Sequence, residues 1–180
     1  EAAREMGAAV TLITGPTQLM LTDPSINRID VISAEEMSMA CFAEAGSAHM
    51  IIMAAAVADY TVKSPSKSKI KKSGKKISLD LEETTDILKE IGKTKRKGQV
   101  LVGFALETEH EQIHARAKLK SKNLDYIVLN SLNDKGAGFG SETNKVTIFN
   151  KKGITFSGEV KSKREVAEDI LKFISGTLPK

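Results

Sequence analysis

Residues 49–60 read His-Met-Ile-Ile-Met-Ala-Ala-Ala-Val-Ala-Asp-Tyr, and the change of character midway through this stretch sets the fold. Residues 49–55 are a continuous apolar run with β-branched members. A parallel sheet buries such a strand on both faces, whereas a strand with one wet face would alternate. Small residues follow, then Asp59 and Tyr60. Two similar runs recur at residues 99–105 and 126–129. Upstream, residues 8–13 read as a buried strand and 29–32 as a short one. Ser33 then caps a helix whose third position is Glu36, a capping box, and that helix runs to residue 45 and stops at Gly46.

Helices fill the remaining gaps. Thr84 or Thr85 caps one that reaches residue 96, ahead of Gly98, and Thr108 begins a polar amphipathic one that reaches residue 122. Residues 145–149 and 154–156 straddle Asn150-Lys-Lys-Gly153 as a β-hairpin, and a last helix covers 164–174. Strand and helix alternate, then give way to a hairpin and a terminal helix. The expected fold is therefore α/β, a mostly parallel sheet covered by helices, with right-handed crossovers and an antiparallel edge. Residues 1–180 read as a single domain, and 60–82 as a flap or arm leaving it. Within that arm residues 77–81 alternate as a strand should. Residues 1–6 are helix-forming and Gly7 fits the position after a helix end. A chain that opens in the last turns of a helix reads as a domain lacking its first strand and loop, the other reading being a true N-terminal helix.

Composition narrows the class. The 180 residues carry 27 Lys+Arg against 23 Asp+Glu, a net charge of +4, with 41% hydrophobic residues and one cysteine. A lone Cys41 excludes an internal disulfide framework. The apolar run at 50–58 is far short of the roughly 20 residues a membrane helix needs. The opening residues do not read as a signal peptide. The expectation is a cytoplasmic protein, with no membrane partner, that handles something anionic.

Ligands of an open parallel sheet bind beyond the carboxyl ends of its strands. That places interest on Gly15-Pro16, residues 54–60, residues 103–108 and Asn130. Small residues at 54–58 would let a ligand approach the backbone. Asp59 behind them either accepts hydrogen bonds from a ligand or caps a turn. Lysines stand at 63, 67, 69, 71, 72, 75 and 76. This run reads as a solvated loop, as a nucleic-acid patch, or as a mobile flap closing over a phosphorylated ligand. The second reading is short of aromatics, since only Tyr60 accompanies the lysines. Lysine suits the third as a flexible point charge. Lys118 and Lys122, four apart on a helix, share a face that is either solvated or, with His114, an anion-binding stripe. Residues 84–86 at a helix start offer backbone N–H groups to a phosphate, unless Asp86 itself satisfies them. No zinc-ligand spacing, nucleophile elbow, complete Walker A motif or dinucleotide glycine fingerprint is visible.

The residues also carry a resemblance. Ala54-Ala-Ala-Val-Ala-Asp-Tyr60 followed by Lys69-Ile-Lys-Lys72 closely resembles the signature of the phosphopantothenoylcysteine synthetases, or phosphopantothenate–cysteine ligases. These are usually the C-terminal half of a bifunctional bacterial coenzyme A biosynthesis protein. The similarity continues through Thr85-Asp-Ile-Leu88, Val102-Gly-Phe-Ala-Leu-Glu-Thr108, residues 115–125 and Gly138-Phe-Gly-Ser-Glu-Thr-Asn144. It implies a Rossmann-like three-layer sandwich, a homodimer, and CTP as co-substrate with Mg²⁺. Phosphopantothenate's carboxylate would attack the nucleotide α-phosphate to give an acyl-cytidylate, and the amine of cysteine would then displace CMP.

Carried over by position, Ala55 and Asp59 resemble residues contacting the nucleotide, and Lys69 the flap lysine that also serves conversion of the intermediate. Thr85, Asp86, Ile87 and Leu88 resemble the segment lining the nucleotide site, where the family often has Pro in place of Thr85. Phe104, Lys118 and Lys122 resemble further nucleotide-binding positions, the two lysines being expected on triphosphate oxygens. The resemblance assigns no metal ligands. The family's upstream glycine-rich start and its Asn before a Ser-Ser-Gly-Lys-Met-Gly-like stretch have no counterpart here. A flavin-dependent phosphopantothenoylcysteine decarboxylase half is the expected fusion partner. A non-catalytic nucleotide- or nucleic-acid-binding domain is the alternative of a different class, and steep salt dependence without preference for CTP would mark the nucleic-acid case. A nicotinamide-dependent oxidoreductase is disfavoured by the missing glycine fingerprint.

Overall fold

A short helix α1 (Ala2–Glu5) begins the chain, and Gly7 at φ +90° turns it toward β1 (Thr11–Thr14). A computed structural model describes residues 1–72, 74, 76–107, 110–131, 142–153 and 155–177. β1 pairs in parallel with β2 (Asn27–Asp30), from Thr11 opposite Asn27 to Thr14 opposite Asp30. α2 (Ala34–Ala45) starts with the expected capping box. The Ser33 hydroxyl accepts from the Glu36 N–H, and the Glu36 carboxylate accepts from the Ser33 N–H.

β3 (Met50–Met53) follows, then the arm, whose base is an antiparallel pair of β4 (Tyr60–Val62) and β5 (Leu81–Glu83). The strand expected at 77–81 thus sits later. Residues 77–80 have no partner strand among the described residues, and Ile77, Leu79 and Leu81 are about 60% exposed. Alternation alone did not fix the register, because no core-facing side was present to select it.

α3 (Ile87–Thr94), β6 (Val100–Glu107), α4 (Glu111–Ser121) and β7 (Tyr126–Ser131) complete the alternating part. α3 is capped by Asp86, not by Thr84 or Thr85. α4 begins after His110, which is at φ +46°; the expected start at Thr108 lies outside the described residues. The chain closes with β8 (Thr143–Asn144), β9 (Val146–Asn150), β10 (Thr155–Ser157), β11 (Lys161–Ser162) and α5 (Lys163–Thr177). β9 and β10 form the expected hairpin, with Gly153 at φ +80° in its turn. The small antiparallel pair β8–β11 was not expected.

The main sheet runs β10-β9-β7-β6-β3, with β3, β6 and β7 parallel and β9 and β10 antiparallel. This is the mostly parallel sheet with an antiparallel edge that the sequence implied. Side chains alternate across it. One face packs Leu101, Ala105, Ile127 and Leu129 against Met37 of α2, Ile87 and Ile91 of α3, and Ala115 and Leu119 of α4. The other packs Val100, Val102, Tyr126, Val128 and Ile148 against Val166, Ile170 and Ile174 of α5. The result is a three-layer sandwich. The central strands β6 and β7 are near-continuously buried, which is why they read as unbroken apolar runs. The burial expected at residues 8–13 and 49–55 is not met. β3 stands at the end of this sheet with Ile52 41% exposed, and β1, paired with β2 in a separate two-stranded sheet, is only half-buried.

Candidate functional site

β3 ends at Met53 and hands over to residues 54–59, at the carboxyl end of the sheet, with Ala55 and Asp59 exposed. The segment after the arm is tied back to this stretch. The Thr84 N–H donates to the Asp59 carbonyl at 2.9 Å, and the Thr84 hydroxyl donates to the Ala58 carbonyl at 2.6 Å. Two regions 26 residues apart in sequence therefore meet, and Asp59 lies beside the segment 84–88. Thr84 was expected as a cap; its hydroxyl is used for this closure instead, leaving the helix start to Asp86.

Asp86 does two jobs. Its carboxylate accepts from the Lys89 N–H at 3.1 Å, closing the first turn of α3. It also receives the Lys122 ammonium, 2.9 Å from Oδ2 and 3.1 Å from Oδ1. Burial pushes the Asp86 carboxyl up, but the hydrogen bonds from Lys122 and Lys89 outweigh it and hold the group below the usual aspartate value. Ile87 is buried and Leu88 packs against the same core, so both offer a ligand backbone and not side chain. Gly103 makes that packing work. A Cβ there would meet Leu88 Cδ2 and Leu124 Cδ1 at 2.8 Å, so the bare backbone of β6 lets α3 settle on it.

Lys118 is exposed on α4, one turn before Lys122 and on its face. Phe104 lies elsewhere: it packs on the α5 side of the sheet, across from the layer that carries Asp86, Lys118 and Lys122. Lys69 is exposed in the arm, without a hydrogen bond or ion pair to any described residue. The structure thus brings together Asp59, Thr85, Asp86 and Lys122 with Lys118 nearby, and leaves Phe104 and Lys69 apart from them. The motif Gly138-Phe-Gly-Ser-Glu-Thr-Asn144 falls mostly outside the described residues.

Asn130 adds a feature to which the sequence assigned no role. It stands at the carboxyl end of β7, in register with Leu106 and Val146, on the α5 side with Val128. Its Oδ1 is buried and has no hydrogen-bond partner among the described residues. A buried oxygen without a donor costs free energy, so such an atom at the ligand-binding edge of a sheet is a ready acceptor for a ligand N–H or O–H. Its position after a buried strand was the available signal. A cavity of about 480 Å³ between α2 and α3, lined by Phe42, Ile91, Lys95, Arg96 and Gln99, lies at the opposite end of the strands and includes none of these residues. No group of three or more His, Cys, Asp or Glu side chains able to hold a metal occurs among the described residues.

Parallel strands flanked by helices on both faces, with polar side chains gathered beyond the carboxyl ends, define a Rossmann-like α/β domain. The chain belongs to the family of the DNA/pantothenate metabolism flavoprotein C-terminal domain, which matches residues 1–178. It is 50% identical over 174 residues to a cysteine/cysteine sulfinic acid decarboxylase from an unknown prokaryotic organism, covering 97% of this chain and 48% of that protein. It is 44% identical over 175 residues to the coenzyme A biosynthesis bifunctional protein CoaBC of Bacillus subtilis, covering 97% of this chain and 43% of that one. The chain therefore spans about half the length of the curated relatives it matches. Among solved structures, the C-terminal domain of a CoaBC protein superposes with a TM-score of 0.81 at 35% identity, over 99% of this chain and 79% of that one.

Proposed function

We propose that this chain is the ligase part of a coenzyme A biosynthesis protein, joining phosphopantothenate to cysteine at the expense of CTP. The likeness to CoaBC across nearly the whole chain supports the pathway. The observation that carries the site is the double hydrogen bond from Thr84, which closes Asp59, Thr85 and Asp86 around the carboxyl end of β3. A carboxylate is a poor acylating agent. Its oxygen attacks the α-phosphorus of CTP, pyrophosphate leaves, and the acyl-cytidylate forms. The cysteine nitrogen then attacks the acyl carbon, CMP departs, and the amine proton is lost as the amide forms.

In this reading Ala55 and the backbone of residues 85–88 line the nucleotide, Asp59 accepts hydrogen bonds from it, and Phe104 borders it from the other side of the sheet. Lys118 and Lys122 meet the triphosphate, whose charge they offset. Lys69 is the catalytic residue on the arm, which closes over the anionic intermediate and shields it from water. Mg²⁺ would arrive on the phosphates of CTP, as magnesium sites built largely from substrate oxygens do. The protein works in the cytoplasm as a homodimer, fused to or associated with a flavin-dependent decarboxylase, and binds neither nucleic acid nor membrane.

Calorimetric titration with CTP, ATP and GTP in the presence of Mg²⁺ tests this. Selective CTP binding that is lost in Asp59→Ala, and weakened in Lys118→Ala and Lys122→Ala, is the expected result. Unchanged affinity in both lysine variants would sink their assignment to the triphosphate. The decarboxylase name of the 50% identical relative supports a second reading, in which this chain serves a cysteine or cysteine sulfinate decarboxylase. Carbon dioxide release from either compound, without any CTP-dependent amide formation, would favour it.

A further inference from the structure

Lys122 and Asp86 approach the site from opposite ends of the sheet. β6 runs to the carboxyl edge and α4 turns back, so Lys122, after the last turn of α4, has its backbone near the start of β7. Gly92 of α3 marks that level: the Lys122 carbonyl presses against it so closely that a Cβ at Gly92 would overlap it. Asn123 Nδ2 donates to the Gly92 carbonyl at 2.7 Å and fixes the contact. Asp86 lies six residues earlier on α3, about 9 Å further toward the carboxyl edge at 1.5 Å per residue. Lys122 therefore reaches Asp86 by stretching its side chain along α3. The carboxylate that receives it is itself immobilised by capping the helix.

We infer that Asp86 is a positioning residue, which carries the Lys122 ammonium to the carboxyl edge of the sheet and holds it there with an N–H left for a phosphate oxygen. This deepens the nucleotide reading above and rests on it. Two effects of the carboxylate oppose each other. Ordering a free lysine side chain beforehand is worth a factor of about thirty in affinity. Repulsion between the carboxylate and a phosphate oxygen a few ångströms away costs a factor of about five where water screens them. Water does so at this open edge of the sheet, where Asp59, Thr85 and Asp86 are exposed. Ordering wins, and its loss weakens anion binding.

The test compares the wild type, Asp86→Asn, Lys122→Met and the double variant, titrated with CTP, with inorganic pyrophosphate and with cytidine. Asn caps a helix about as well as Asp, so Asp86→Asn should stay folded at the titration temperature, losing only the stability that the ion pair to Lys122 supplies. It should bind CTP and pyrophosphate about fivefold more weakly and cytidine unchanged. In the Lys122→Met background the same substitution should cost nothing further. Unchanged or tighter binding of pyrophosphate by Asp86→Asn overturns the proposal. So does a loss that persists without Lys122, or weakened cytidine binding, since either makes Asp86 a direct contact. If the wild type binds none of the three ligands, the nucleotide reading fails and takes this inference with it; the other failures leave that reading standing.

Discussion

Asn130 shows how much a single atom can say. Its side chain stands where Val128 and Tyr126 would predict another apolar residue, and its Oδ1 is buried without a donor. Nothing in the described residues repays that desolvation. Replacement by leucine, close in size, should raise stability by about 1 kcal/mol, the low end of the cost of an unsatisfied buried group. If a ligand supplies the missing donor, the same variant should lose affinity for CTP. Chemical denaturation and calorimetry on one preparation check both halves, and a variant that is less stable yet binds normally would refute the assignment. The sequence placed Asn130 at a strand end but could not show the empty acceptor, because satisfaction depends on neighbours far away in the chain. Asp59 and Lys122 differ in the same way. Asp59 was legible beside its alanines, whereas the partner of Lys122 is 36 residues upstream and visible only once α3 and α4 are packed.

At the scale of elements, α3 depends on Asp86 both for its first turn and for its link to α4. The Asp86 carboxyl is held below its usual range in the folded chain. A carboxyl whose folded pKa is depressed contributes stability that is complete above its unfolded pKa and disappears as pH falls through the folded one. The difference in stability between the wild type and Asp86→Asn should therefore stay level from neutrality down to about pH 5 and shrink below the ordinary aspartate range. Urea titrations across that range check it; a difference that grows on acidification would reverse the sign. Element identity was largely readable: β6 and β7 announced themselves by unbroken apolar runs and α2 by Ser33 and Glu36. The same kind of run in β3 marked a strand but not its burial, since β3 ends the sheet. The arm was less so. Its alternating apolar residues 77, 79 and 81 gave a strand period but not a partner, and the ladder formed instead between residues 60–62 and 81–83.

For the whole molecule, the arm raises the question of assembly. Tyr60, Ile70, Ile77, Leu79 and Leu81 are each more than half exposed in one chain. A cluster of this kind on an excursion from the fold fits burial against a second copy. Sedimentation of the wild type should give a dimer, and Leu79→Asp should shift it to monomer by placing a charge in the apolar contact. A wild type that sediments as a monomer would remove the homodimer from the proposal. The sequence by itself determined the α/β class, the parallel strands and the antiparallel hairpin, because apolar runs, turn residues and capping chemistry are written locally. Only the tertiary structure decided which helix layer each site residue belongs to, that Phe104 sits across the sheet from the lysines, and that Asp86 holds Lys122. Those facts follow from the direction in which each helix returns along the sheet and from the backbone contact at Gly92, and neither has a signature in residues adjacent in the chain.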